Sequence, residues 1–207
     1  MEKNNLYGLA VCGGESSRMG MDKSLIVYHQ KPQRYHVYDL LSEFCESVYI
    51  SCNKKQSTTI SSPYQSIIDK EPYEQIGPMA ALLSAFEQFP DRNFIVIGCD
   101  YPFIVQSNLN DIIHAALNSD QISYAFYNHI SEMKEPLLAI YTKECYPLLL
   151  SYYEKKEYSL QKFLRENNTG KIIPSNLTTI KSVDTPEAYE EALNLIRYAE
   201  LVSGFSG

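Results

Sequence analysis

Between Leu9 and Tyr28 the chain reads LAVCGGESSRMGMDKSLIVY, an apolar run that opens into glycines and then into cations. Gly13 and Gly14 let backbone N–H groups approach an anion with no Cβ in the way. Arg18 adds a planar fork suited to phosphate oxygens, and Lys23 adds a mobile point charge. Such a loop suits a polyphosphate. It also suits a surface turn whose charges stay in water, and the loop alone leaves both readings standing. It is not the GxGxxG fingerprint of dinucleotide-binding folds, and it is not a Walker A loop, because Met21 and Asp22 separate Gly20 from Lys23.

A second place for chemistry is CDYP, residues 99–102, where Asp100 ends an apolar run. A lone aspartate there can cap a turn. It can equally serve as a hard oxygen ligand, since Mg²⁺ keeps several waters and binds through one or two carboxylates plus substrate phosphates. His29, His36, His114 and His129 are scattered and none forms a motif with a serine or cysteine, so triad hydrolysis has no support.

The elements that must position these residues follow from hydrophobic periodicity. Short β-rich runs at 6–12, 47–52, 65–69, 93–99, 122–127 and 136–141 read as strands. Apolar residues at helical spacing mark 79–89, 109–117 and 145–156. The last helix announces itself in VDTPEAYEEALNLI, with Thr185 as N-cap, Pro186 in the first turn and Glu187 near the positive end of the helix dipole. Strands alternating with helices imply an α/β domain with a mostly parallel sheet between two helical layers. In such sheets ligands bind beyond the carboxyl ends of the strands. Gly13-Gly14, Asn53-Lys54-Lys55, Asp69-Lys70 and Asp100 all follow strands, so the polar residues gather at one edge.

Composition sets the limits. The 207 residues suit one well-packed domain, and 44% hydrophobic with 12% aromatic content is ordinary globular material. A net charge of −7 without a basic block argues against nucleic acid as a partner. The five cysteines form no CxxC pair, which suggests neither a disulfide framework nor a zinc site. No apolar run approaches the roughly 20 residues of a membrane span, and the first residues lack the core of a signal peptide. The expectation is a cytoplasmic protein with reduced thiols and no membrane partner.

GGESSRMGMDKSL is similar to the signature loop of nucleotidyltransferases with a GT-A-like fold. It most resembles the molybdenum cofactor guanylyltransferase (MobA) family pattern, LAGGxSxRMGxDKxL. Later stretches match in the same order: VYISCNKK, IIDKEP, IGPMAALLSAF against GPLAG, VIGCDYPFI against CDxP, and SVDTPEAYEEA against N-x-N-T-P-E. The resemblance runs from Leu6 to about Ala192. It implies a three-layer α/β/α, Rossmann-like single domain, with a nucleotide-binding half over about 1–105, an acceptor-binding half over about 106–200 and a frayed tail at 201–207.

The activity implied is transfer of GMP from GTP to the terminal phosphate of Mo-molybdopterin, with Mg²⁺ as cofactor and pyrophosphate leaving. Carried over residue by residue, the family assigns nucleotide binding to Val11, Cys12, Gly13, Gly14, Lys23, Ser51, Asn53, Asp69, Gly77, Pro78 and Asp100. Arg18, Lys23 and Asp100 would be catalytic, with Asp100 on the metal. Asp184, Pro136 and Leu137 fall on the acceptor side, with Glu135 and Ser159-Leu160 beside them. Asp69 also reads as a strand-ending turn residue, and Asp184 as the residue before a helix cap. Partners would be the two substrates and, transiently, molybdoenzyme-maturation proteins, with the chain a monomer or weak oligomer. Five positions depart from the pattern: Cys12 for alanine, Gln33 for the leucine of KPL, Ser51 for the first asparagine of N-x-N, Ala81 for the glycine of GPLAG, and Asp184 for asparagine. The paired glycines point to guanine, whereas a methyl at Ala81 weighs against it. A cytidylyl- or sugar-nucleotidyltransferase, or a non-catalytic nucleotide- or molybdopterin-binding accessory, are the rival readings.

Overall fold

A computed structural model describes residues 5–12, 22–117 and 119–204. Gly13, Gly14 and Arg18 lie outside the described residues. In chain order the elements are β1 (Leu6–Val11), β2 (Val27–His29), β3 (Lys31–Pro32), α1 (Gln33–Ser42), β4 (Ser47–Cys52), α2 (Lys54–Ser57), β5 (Ser66–Ile68), α3 (Met79–Gln88) and β6 (Asn93–Gly98). There follow α4 (Gln106–Leu117), β7 (Ser123–Asn128), β8 (Met133–Tyr141), α5 (Cys145–Glu154), α6 (Leu160–Glu166), β9 (Thr169–Ile172) and α7 (Pro186–Gly204).

Seven strands form one sheet in the order β5-β4-β1-β6-β8-β7-β9. The half around β1 is all parallel, as its fully buried strands LYGLAV and NFIVIG lead one to expect. β8 alone runs against its neighbours: it pairs antiparallel with both β6 and β7, while β7 and β9 are parallel. Alternating strand residues feed two cores. Ala10, Ile50, Ile97 and Phe126 face α1 and α4, and Leu9, Val96, Ala139 and Tyr141 face α3, α5 and α6. These are the two helical layers expected from the sequence. No helix among the described residues is long and apolar enough to cross a membrane.

Several elements were not legible from the periodicity, the short helices α2 and α6 among them. α1 carries Gln33, Arg34 and His36 in its first turn, which hides its apolar stripe. The β2–β3 hairpin is five residues of strand in all. β9 is short and glycine-containing, TGKI. The final helix is capped as expected, with Thr185 Oγ1 accepting from Ala188 N–H at 3.2 Å. It continues to Gly204, four residues into the stretch expected to be frayed. This helix does not cover the sheet. It packs on the hairpin, burying Ala192 and Ile196 against Ile26, Tyr28 and Val183 in a third small core. The late helix and the early loop are thereby joined at the sheet's carboxyl edge.

Candidate functional site

The site is built on that edge. β6 ends at Gly98, and Asp100 follows in the turn CDYP. Asp100 folds back over Gly98: a Cβ at Gly98 would collide with Asp100 Oδ1 and would lie 3.2 Å from Leu137 Cβ. Only a glycine permits that return. The Asp100 carbonyl accepts a hydrogen bond from Val183 N–H at 2.8 Å, which delivers the next residue, Asp184, to the same place. Lys23 Nζ donates to Asp184 Oδ1, and Ser182 Oγ holds the other oxygen at 3.0 Å. Residues 23, 100 and 184 therefore converge.

The cluster is short of positive charge. Burial first, and then the charge of Asp184, push the Asp100 carboxyl up to about 6, while Lys23 pulls the other way. Next to it, Tyr101 Oη donates to Glu135 Oε2 at 2.9 Å. Burial raises the Glu135 carboxyl, and the Tyr101 bond offsets part of that rise. Asp184 stands just before the helix cap Thr185, as expected, and it also holds the lysine. The donor set suits a divalent cation in kind: two carboxylates share one ammonium, and their oxygens are hard ligands. Among the described residues no three Asp, Glu, His or Cys side chains gather closely enough to hold a metal alone.

A second group lies over β4 and β5. Ser51 is 2% exposed and donates to Asp69 Oδ1 at 3.3 Å. Burial raises Asp69 to about 6, with the Ser51 bond opposing and the charge of Glu74 adding. Asp22, one residue before Lys23, accepts from Ser24 N–H at 2.9 Å, Ser24 Oγ at 2.7 Å and Gln56 Nε2 at 3.0 Å. That aspartate pins the start of the Lys23 turn to α2.

Several assignments need correction. Cys12 N–H already donates to Ser51 O at 3.1 Å and Val11 O accepts from Cys99 N–H at 3.0 Å, so both belong to the floor of the site. They are not free donors. The Asn53 side chain caps α2, accepting from Gln56 N–H at 2.8 Å, which leaves its oxygen committed. Pro136 O accepts from Tyr141 Oη at 2.9 Å, and Leu137 packs against both sheet cores. Ser159 caps α6 and Leu160 is 4% exposed, so neither offers its side chain to a ligand. Gly77, at φ 71°, makes the left-handed turn into α3, and Pro78 stands at that helix's N-cap. Ala81 is 3% exposed and packs within the core beside α3.

One contact had no sequence signal. His29 Nε2 donates to Pro102 O at 2.8 Å, and its ring stacks on His36 at 4.1 Å between centroids. The hairpin is thereby tied to the turn that carries Asp100. The residues are 73 apart in sequence, and no spacing rule links them.

The chain is similar to several known proteins. A molybdenum cofactor biosynthesis bifunctional protein from Synechocystis sp. is 32% identical over 189 residues, covering 89% of this chain and 52% of that protein. The chain thus spans about half the length of that relative. A molybdenum cofactor guanylyltransferase from Pseudomonas entomophila is 27% identical over 157 residues, covering 75% of this chain and 80% of its own. The crystal structure of molybdopterin-guanine dinucleotide biosynthesis protein A from Archaeoglobus fulgidus shares the fold, with a TM-score of 0.77 at 20% identity over 93% of this chain and 99% of that one. Residues 8–171 match the MobA-like NTP transferase domain, and the chain belongs to that family.

Proposed function

We propose that the chain transfers GMP from GTP to the terminal phosphate of Mo-molybdopterin, giving molybdopterin guanine dinucleotide and pyrophosphate. The observation that carries this reading is the meeting of Lys23, Asp100 and Asp184 at the sheet edge, in a chain of the MobA-like family. An oxygen of the acceptor phosphate attacks the α-phosphorus of GTP. The bond from that phosphorus to the bridging oxygen breaks, and pyrophosphate leaves with the electron pair. Both reactants are anions, so the work of the protein is positioning and charge neutralisation.

Lys23 offsets charge on the α-phosphate and the departing pyrophosphate, leaving Asp184 as it does so. Arg18 has the same task in the signature loop, where Gly13 and Gly14 supply backbone donors. Asp100, with Asp184 beside it, would hold Mg²⁺, and the ion would supply neutralisation of phosphate charge. Ser51 and Asp69 face the nucleoside, and Gly77-Pro78 border it. All five cysteines are buried and none is in a disulfide, in keeping with a reducing compartment, and we assign the activity to the cytoplasm. The deciding experiment combines purified protein, Mg²⁺, each nucleoside triphosphate in turn and Mo-molybdopterin, with dinucleotide and pyrophosphate quantified. Product with GTP alone supports the proposal; product with CTP alone replaces guanine by cytosine, and none with any triphosphate leaves a binding accessory.

Three variants probe the parts. Lys23→Ala is expected to lower turnover on the order of 10²- to 10³-fold, the scale of one lost transition-state donor; wild-type turnover would remove Lys23 from the mechanism. Gly98→Ala adds a methyl in the space of Asp100 Oδ1. Its turnover should fall by about 10²-fold through misplacement of that carboxylate, while urea unfolding remains a single cooperative transition. Asp69 is held above its ordinary 3.8 at about 6 in the folded protein. Its proton is thus bound more tightly in the fold, so the stability it adds is present below about pH 4 and is lost as pH rises through 6. Between pH 4 and 7 the wild type should lose on the order of 2 kcal/mol relative to Asp69→Asn in urea titrations. Parallel pH profiles would refute the buried carboxylate.

A further inference from the structure

The turn that carries Asp100 is held through its carbonyls, and one of the groups holding it is a histidine outside the proposed chemistry. Gly98 O accepts from Tyr101 N–H at 3.3 Å, within the turn itself. The next two holds come from elsewhere. Asp100 O accepts from Val183 N–H at 2.8 Å, and Pro102 O accepts from His29 Nε2 at 2.8 Å. These outside donors grip alternate carbonyls, one from each side of the third small core. Lys23 precedes the hairpin that bears His29, and Asp184 directly follows Val183. The segments that clamp the turn are therefore the ones that deliver the lysine and the second carboxylate.

His29 is itself held. The hairpin turns at Gln30, whose φ of 59° is left-handed, and places Lys31 opposite His29. Lys31 pairs with Asp39 of α1, which anchors the hairpin end on that helix. From the same helix, His36 stacks on the His29 ring with 4.1 Å between centroids and 21° between planes. Burial first, and then the charges of His29 and Lys31, push the His36 imidazole down to about 4, with Asp39 opposing. Near neutral pH the platform under His29 is thus an uncharged ring. A carbonyl only accepts, so Nε2 carries a proton in the neutral ring and in the imidazolium alike. Pro102 is buried, and among the described residues no other donor reaches its carbonyl. Loss of the imidazole leaves that acceptor unpaired, and the turn must shift toward water to satisfy it.

We propose that His29 is a positioning residue for the reaction centre: its bond to Pro102 O holds the CDYP turn where the Asp100 carboxylate meets Lys23 and Asp184. His36 acts through it, as the platform that fixes the ring plane. This rests on the reading of Asp100 as a carboxylate of a nucleotidyl-transfer centre.

The test reads the turn and the chemistry separately. Amide hydrogen exchange at Val183 reports the turn with no ligand present, and exchange at Val96 and Ile97 in β6 reports the sheet beneath it. Kinetics with GTP and Mo-molybdopterin give kcat, the KM of each substrate and the Mg²⁺ concentration for half-maximal rate. His29→Leu keeps bulk and removes the donor. Exchange at Val183 should then quicken at least about tenfold with β6 unchanged. Its kcat should fall about tenfold and its Mg²⁺ requirement rise, with both KM values within about twofold of wild type. His29→Gln restores an N–H donor at similar reach and should recover exchange and kcat to within about threefold. Lower urea stability with Val183 exchange and kcat unchanged would mean a merely structural contact and overturns the proposal. His29→Gln failing as fully as His29→Leu also overturns it. A wild type that forms no dinucleotide, while exchange still separates His29→Leu from His29→Gln, refutes the transfer reaction and leaves the His29 tie standing.

Discussion

The site depends on one closure. Lys23 and Asp184 are separated by 161 positions and are held together by an ion pair, while Val183 donates to the Asp100 carbonyl beside it. An exposed pair of this kind would contribute little to stability. Here Lys23 is only 20% exposed, and the pair sits on the small core that α7 makes with the β2–β3 hairpin. Burial of Ile26, Tyr28, Val183 and Ile196 supplies the free energy of closure; the ion pair fixes the register. The final helix is therefore part of the catalytic edge and not a third sheet-covering layer.

Charge at that edge is left unbalanced. Around Asp100 the carboxylates of Asp184 and Glu135 outnumber the nearby Lys23, and burial first, with the Asp184 charge second, pushes Asp100 up to about 6. Around Lys134 the imbalance has the other sign. The reversal of β8 makes the two zones neighbours. Its pairing with β7 shifts register between Ala125 and Tyr127, and that irregularity turns Lys134 toward α6 while Glu135 reaches Tyr101. Without that shift the alternation along β8 would put Lys134 on the face of Leu138 and Ile140.

Buried polar groups support the nucleotide side. Asp22 gathers two bonds from Ser24 and one from Gln56, and Ser51 meets Asp69 beneath them. Asn53 and Gln56 complete a capping box that holds α2 in place to do this. Gln33 is fully buried with neither amide atom bonded, and nothing in the structure explains its presence where the family pattern has leucine.

The sequence by itself determined the local and the periodic. The strand runs, the three long amphipathic helices, the Thr185 cap and the gathering of polar residues after strands all follow from rules acting over a few residues, and the signature loop and CDYP turn were legible as family motifs. Only the tertiary structure decided the rest, because the deciding contacts join residues far apart in the chain. The reversal of β8 depends on which strand edge it meets. The commitment of Cys12 N–H to the Ser51 carbonyl depends on a neighbour from another strand, β4, and the burial of Ala81 on the packing of α3. The pairing of Asp184 with Lys23 follows from where α7 docks. Hydrophobic periodicity says that a face is buried; it does not say against what, and at this site the partner decides the chemistry.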